Sequence, residues 1–289
     1  MTPGLQQAIE RVLDDPLVEC RSIAGGDINL AYRVRTSGDA QYFVKTHNSP
    51  PPRFFEREAQ GLAWLRESNA LRVPELVAFS NGSDDESAFL ALEWIVSTPR
   101  SSRHDVQLGR GLARLHQSGA TDFGMDTSNY IGRLPQSNLR HDTWAEFYGS
   151  ERLLPQYELA ARADLLPSGL QRDLETLVTK LPALVGAEEA PARLHGDLWG
   201  GNTITDENGE PCLIDPAVYG GHREVDLAMM RLFGGFSPAV FGAYEEIFPL
   251  IPGAPERVEL YQLYYLLVHL NLFGRGYLGA VKNAVAAYV

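Results

Sequence analysis

The sequence predicts an α+β protein of two unequal lobes: a small antiparallel sheet carrying one main helix, followed by a larger, mostly helical lobe. A contrast along the chain predicts it. Up to about Trp94 the apolar residues fall in short β-rich runs, whereas beyond Ser97, Thr98 and Pro99 they recur at the three- and four-residue spacing of helices. At 289 residues, with 44% hydrophobic and 21% charged residues, the chain has ordinary globular composition and enough length to bury a core in each lobe.

The elements follow in order. The first sixteen residues mix Gln, Glu, Arg and Asp with isolated apolar residues, and lack the apolar stretch of a secretory signal. Strands are expected over 17–23, 30–35, 41–45, 76–79 and 89–95, each rich in β-branched or aromatic residues. Between the third and fourth lies a helical pattern over 53–68, with Phe55, Leu62 and Leu65 on one face. After the Ser-Thr-Pro break, Val106, Leu108, Leu112 and Leu115 predict a helix over 105–117, and further helices are expected over 144–152, 170–181, 225–233 and 258–273. The longest apolar stretch, 261–273, is interrupted by Gln262, His269 and Asn271 and falls short of the ~20 residues that span a bilayer, so it predicts a buried helix. The break near residue 96 divides the chain into 1–96 and 97–289, with ligands expected in the cleft between them.

Charge and cysteine content exclude several classes of function. Lys and Arg number 25 against 37 Asp and Glu, a net charge of −12, which argues against nonspecific binding to nucleic acid or an anionic membrane. Any phosphate must be held by local groups. Cys20 and Cys212 are the two cysteines and form no CxxC pair, so neither a zinc site nor a disulfide framework is expected, and a reducing cytoplasm suits the chain.

The segment 195–215, HGDLWGGNTITDENGEPCLID, is the most informative. A short strand after Asn202 and another before Asp215, with Asn208-Gly209 between them, predict a hairpin. Its open end sets Asn202 beside Asp215, an amide and a carboxylate of the kind that hold Mg²⁺ together with phosphate oxygens. Asp197, in the loop entering the hairpin, is suited to accept the proton of a substrate hydroxyl attacking a phosphoryl group. Each of these residues alone reads as a turn former; gathered around one hairpin, they read as a phosphotransfer site.

The first lobe supplies a second set. Lys45 closes the third strand, and Glu58 falls on the apolar face of the helix with Phe55, Leu62 and Leu65, where an unpaired carboxylate is costly. Lys45 is its expected partner; Glu56, the rival acid, lies off that face. Taken singly, Lys45 also reads as a solvated strand end and Glu58 as a half-exposed acid. Gly25-Gly26 could let backbone amides approach phosphates, or form a plain turn, and the main chain around Glu93 and Ile95 lies where an adenine would bond.

Lys45, Glu58, HGDLWGGN at 195–202 and IDP at 214–216 together resemble the protein-kinase-like fold in its small-molecule branch, which includes the aminoglycoside phosphotransferases. The HGDLW run followed by Gly-Gly-Asn resembles the fructosamine kinase (ketosamine-3-kinase) family, as do YGGHREVDLAMM at 219–230, LVHLNLFGRGY at 267–277, NYIGRLPQSN at 129–138 and RLLPQ at 152–156. The resemblance covers nearly the whole chain. It implies that 1–96 binds ATP and 97–289 binds substrate, with Asp197 as the catalytic base, Asn202 and Asp215 on Mg²⁺, Lys45 on the α- and β-phosphates and Glu58 fixing Lys45. It further implies an acceptor beside Trp199, with His269 and Asn271 as candidates to line the sugar site; both also read as satisfied polar groups of a helix core. That family phosphorylates the sugar 3-hydroxyl of ketoamines, small or protein-bound, and so frees the glycated amine. Other kinases of the same fold, acting on aminoglycosides, choline or homoserine, and a nucleotide-binding pseudokinase scaffold are the alternatives. Asp226 is expected to brace the catalytic loop or cap its helix, and His195 to bond nearby backbone.

Overall fold

A computed structural model describes residues 1–23, 29–83 and 87–289. The first lobe is built on a five-stranded antiparallel sheet of β1 (Leu17–Ile23), β2 (Leu30–Thr36), β3 (Gln41–Thr46), β4 (Leu76–Ser80) and β5 (Phe89–Glu93), in the order β1-β2-β3-β5-β4. Alternation along the central strands divides their side chains between two layers. Val44, Phe89 and Ala91 pack against Leu5, Ala8 and Ile9 of helix α1 (Pro3–Leu13). Phe43, Leu90 and Leu92 face Phe55, Ala59, Leu62 and Leu65 of α2 (Phe54–Glu67) and the second lobe beyond.

Helix α1 lies in a stretch read from sequence only as lacking a signal peptide. Thr2 caps it, its hydroxyl accepting from Leu5 N at 3.3 Å, and Pro3 opens it. The last strand stops at Glu93, two residues short of the expected end, where the chain turns toward the second lobe.

The second lobe contains α3 (Ser102–Gln117), hairpin β6 (Asn129–Ile131) and β7 (Leu134–Gln136), α4 (Trp144–Phe147), α5 (Leu154–Arg162), α6 (Ser168–Leu184), β8 (Ala192–Leu194), hairpin β9 (Thr203–Thr205) and β10 (Pro211–Leu213), β11 (Tyr219–Gly221), α7 (Glu224–Phe233), α8 (Pro238–Ile247), α9 (Ala254–Phe273) and α10 (Leu278–Ala286). The helix expected over 144–152 is a single α-turn that widens into a π-helical stretch, Tyr148–Leu153, and continues as α5. Pro155 follows directly and has no N–H for a regular i→i−4 bond, which accounts for the widened register. Helix α9 begins four residues before the expected 258, set off by Gly253 in the left-handed region.

Two cores organise this lobe. Trp144, Phe147, Tyr148, Leu177, Tyr261 and Tyr264 belong to a core within it. A second core runs across the lobe boundary, joining Leu62 and Leu65 of α2 to Leu108 and Leu112 of α3, and to Leu198, Leu213 and Val218 of the segments that build the site. No helix among the described residues is long and apolar enough to cross a membrane.

Candidate active site

The β9–β10 hairpin sets the geometry. Asp206 ties its turn, accepting from Asn208 N at 2.8 Å and Glu210 N at 2.9 Å. Pairing of Leu213 with Thr203 carries into a bond from Ile214 N to Asn202 O at 3.0 Å, so Asn202 and Asp215 meet at the open end. Asn202 Nδ2 donates to Asp197 O at 2.8 Å, to Asp197 Oδ2 at 3.2 Å and to Asp215 O at 3.4 Å. With the amide nitrogen so engaged, its Oδ1 is the atom left to meet a cation.

A buried polar frame holds the catalytic loop from behind. Asp226, fully buried, accepts from His195 N at 2.8 Å and Gly196 N at 2.9 Å, and its carboxylate lies 3.2 Å from His116 Nε2. His195 Nδ1 accepts from Asp197 N at 3.3 Å, so its Nε2–H donates to Ile214 O at 2.9 Å, bonding the loop to the hairpin. Gly196 has φ +81°, and a Cβ there would lie 2.0 Å from Ala217 O, so only glycine admits the close approach of the 215–219 segment. Asp226 and His195 thus take the bracing roles expected of them.

Lys45, 5% exposed, reaches across from the sheet. Its Nζ lies 2.7 Å from Glu58 Oε1 and 2.7 Å from Asp215 Oδ1. Glu56 is not its partner: it is bound by Arg53, with Nε–Oε2 at 2.7 Å, and by Asn81 at 3.1 Å. Burial alone would lower the Lys45 pKa, but the two carboxylates outweigh it and hold the amine charged, above its usual range. Burial and the nearby Asp215 raise the Glu58 carboxyl against the pull of Lys45. Asp197 is pushed up to about 7, first by burial and then by the charge of Asp215, with the Asn202 bond opposing.

These groups share a cavity of about 590 Å³ between the lobes, whose lining includes Lys45, Glu58, Asp197, Asn202 and Asp215. The lining also includes a group of aromatic residues. Trp199 is 42% exposed, and its ring lies over Gly201, where a Cβ would come within 2.2 Å of it. His269 is surrounded by the rings of Phe233 at 4.5 Å, Tyr277 at 5.1 Å and Phe273 at 5.4 Å, and all four line the cavity. Its Nδ1–H donates to Tyr265 O at 2.8 Å, leaving Nε2 as an acceptor, and burial lowers its pKa.

Asn271 and the side chains of Glu93 and Ile95 lie outside the lining of this cavity. Asn271 does not line the cavity; its Nδ2 donates to Gln156 O at 2.9 Å and Gln156 Oε1 at 2.8 Å. Two positions beyond His269 on an α-helix is a turn of ~200°, so the two side chains cannot share a face. The Glu93 carboxylate is taken by Arg72 at 2.5 Å and accepts from Glu75 N at 3.1 Å, and Ile95 is buried. Neither Glu93 nor Ile95 lines the cavity. Gly25 and Gly26 lie outside the described residues. Phe233, Phe273 and Asn129 line the cavity and were not singled out from sequence; Phe273 and Tyr277 stood inside the LVHLNLFGRGY run, visible only as a block.

Comparison with known proteins places this geometry in a family. The fructosamine kinase family model matches residues 1–289. A probable ketoamine kinase of Enterococcus faecium is 41% identical over 274 residues, covering 93% of this chain and 95% of that protein. The chloroplastic protein-ribulosamine 3-kinase of Arabidopsis thaliana is 37% identical over 271 residues, covering 93% and 82%. The crystal structure of a candidate fructosamine-3-kinase from Thermobifida fusca superposes with a TM-score of 0.89 at 35% identity, covering 100% of this chain and 99% of that one. The chain has the bilobal protein-kinase-like fold and belongs to the fructosamine kinase family.

Proposed function

We propose that this kinase transfers the γ-phosphoryl group of ATP to the sugar 3-hydroxyl of a ketoamine, the adduct of a reducing sugar with an amine, and so promotes release of that amine. The observation that carries the reading is that one cavity is lined both by Lys45, Asp197, Asn202 and Asp215 and by Trp199 and the aromatic rings around His269.

Each side chain has a task. Asp197, half-buried and pushed up to about 7, is basic enough to take the hydroxyl proton as the oxygen attacks phosphorus. Asn202 fixes its orientation through the 3.2 Å bond to Oδ2. Lys45, held charged by its two carboxylates, is positioned to contact the α- and β-phosphates, and Glu58 keeps it there. Asn202 Oδ1 and the Asp215 oxygen turned away from Lys45 are hard donors that fit Mg²⁺. When bound, the ion would neutralise charge on the phosphate oxygens.

The aromatic wall distinguishes acceptors. Among the described residues, the carboxylates lining the cavity are Glu58, Asp197 and Asp215, all engaged by the phosphotransfer groups. A polycationic aminoglycoside would find none to spare. A sugar can lay its C–H face on Trp199, and the protonated secondary amine of a ketoamine can rest against the rings of Phe233, Phe273 and Tyr277. A quaternary ammonium would also suit these rings, so choline belongs in the test.

The test is mass spectrometry of reactions holding ATP, Mg²⁺ and one acceptor each: fructosyl-lysine, ribulosyl-lysine, an aminoglycoside, choline or homoserine. Phosphate gained by the ketoamines alone is the expected result. Phosphate on another acceptor instead would keep the kinase and discard the substrate.

A further inference from the structure

We propose that Gln136, which lies outside the cavity, is a positioning residue that holds Asp215 in its working conformation; this rests on the role given to Asp215 above. Asp215 adopts φ +52°, the left-handed region, which Asp enters more readily than most non-glycine residues but still at a cost that its surroundings must offset. Lys45 holds its side chain, but nothing in that contact fixes the main chain that follows.

What fixes it is a buried layer of amides on the β6–β7 hairpin. Gln136, 2% exposed, donates from Nε2 to Ala217 O at 3.0 Å and to Asn129 Oδ1 at 2.8 Å, while its Oε1 accepts from Tyr264 OH at 2.6 Å. Asn129 Nδ2 donates to Val218 O at 2.8 Å. Asn138 Nδ2 donates to Asn129 Oδ1 at 3.0 Å, and Asn138 Oδ1 accepts from Arg152 Nη2 at 2.7 Å. Arg152, wholly buried, lies 3.8 Å over the ring of Tyr219. Residues 217, 218 and 219 are therefore each held by a buried polar side chain from this layer. From the opposite side, Ala217 N donates to His195 O at 2.9 Å, so the segment after Asp215 is gripped between the hairpin and the catalytic loop.

A buried amide with both donors and its acceptor used has one geometry, and a fully satisfied network of this kind specifies position more than it adds stability. Gln136 does not line the cavity, so an effect of its replacement on ligand binding must pass through its partners, the segment it grips and Asn129, which lines the cavity and itself bonds Val218 O.

Gln136→Met keeps the side-chain length and removes the grip. Tyr264→Phe removes the third bond of Gln136 while sparing both donations, and serves as the control for packing. In calorimetric titrations, Gln136→Met is expected to weaken ATP binding at least 10-fold when Mg²⁺ is present and less than 3-fold when it is absent, with Tyr264→Phe near wild type in both. Amide hydrogen exchange over 215–219 is expected to accelerate in Gln136→Met alone. If the wild type shows no gain in ATP affinity from Mg²⁺, the metal role of Asp215 fails, and the exchange result still decides the grip. Unchanged Mg²⁺-dependent binding and unchanged exchange in Gln136→Met, or equal losses in Tyr264→Phe, would overturn the proposal.

Discussion

Lys45 Nζ lies 2.7 Å from Asp215 Oδ1, a contact that joins the β-sheet lobe to the end of the β9–β10 hairpin across 170 positions of sequence. It makes one cation common to two carboxylates, since Glu58 Oε1 is also 2.7 Å away. Lys45→Met leaves Glu58 buried beside Asp215 with no counter-charge, and is expected to cost roughly 3 kcal/mol of stability, the lower end for a broken buried pair because Asp215 is partly exposed. Turnover should fall at least ~100-fold with the loss of a preorganised phosphate donor. Adding Glu58→Gln should restore much of the melting temperature and none of the rate; recovery of activity in the double variant would contradict the role given to Lys45.

Asp197→Asn keeps the shape of the loop and removes the proton acceptor. Turnover is expected to fall by about 10²–10⁴, with nucleotide affinity little changed and the fold intact. In the wild type the carboxylate is the active form, so kcat/KM should drop as pH falls through the region of 7, to which burial raises this group in the free protein. A flat profile from pH 5 to 8, or a fully active variant, would remove Asp197 from the chemistry.

Two sets of buried groups pull the pH dependence of stability in opposite directions: the raised carboxyls Asp197 and Glu58 take up protons first in the folded state and stabilise it as pH falls, whereas the buried histidines do the reverse. Burial drives His222 down to about 4, and burial lowers His195 and His104 as well. Between the unfolded value near ~6.5 and the folded values, these histidines bind more protons in the unfolded chain, so their contribution to stability falls as pH falls. His222 alone contributes up to ~3 kcal/mol of this loss, complete once pH is below about 4. Chemical denaturation of wild type and His222→Gln at pH 7, 5.5 and 4 isolates it, since the groups common to both cancel: the variant should gain stability relative to wild type as pH falls, and a difference that stays constant or moves the other way would contradict the sign.

Trp199→Ala removes the exposed ring that rests over Gly201. The expected effect is confined to the acceptor: KM for the ketoamine rises about 3- to 10-fold, in line with the ~0.5–1.5 kcal/mol of an aromatic contact, while KM for ATP stays within about twofold. Steady-state kinetics with each substrate varied in turn separate the two.

Chelation tests the role given to Asn202 and Asp215. Removing Mg²⁺ with EDTA should abolish turnover reversibly, and Asn202→Ala should raise the Mg²⁺ concentration needed for half-maximal rate at least ~10-fold. A rate indifferent to chelation would set these residues free of a metal.

The parts of the site legible in the sequence are those set by short-range geometry. The hairpin pairing that brings Asn202 to Asp215 follows from two short strands and a turn, and Glu58 among Phe55, Leu62 and Leu65 follows from helical period. The fold class follows from the change of period near residue 96. What escaped depends on segments far apart: the contact of Lys45 with Asp215, and the aromatic wall assembled from α7, the end of α9 and Tyr277 beyond it. Asn271 takes the other of its two readings, a satisfied polar group of the helix core, because two positions beyond His269 the helical turn sends its amide to Gln156. Helix α1 escaped because its buried face, Leu5, Ala8 and Ile9, is too small to stand out without the sheet that it covers.

The most direct test of the central claim is phosphorus-31 and proton NMR of fructosyl-lysine incubated with ATP, Mg²⁺ and the purified protein, beside the same mixture with Asp197→Asn. A new phosphomonoester coupled to the proton on sugar carbon 3, followed by free lysine, and absent with the variant, is the predicted result. ATP consumed with no phosphorus on the sugar, or a phosphomonoester formed equally well by Asp197→Asn, would contradict it.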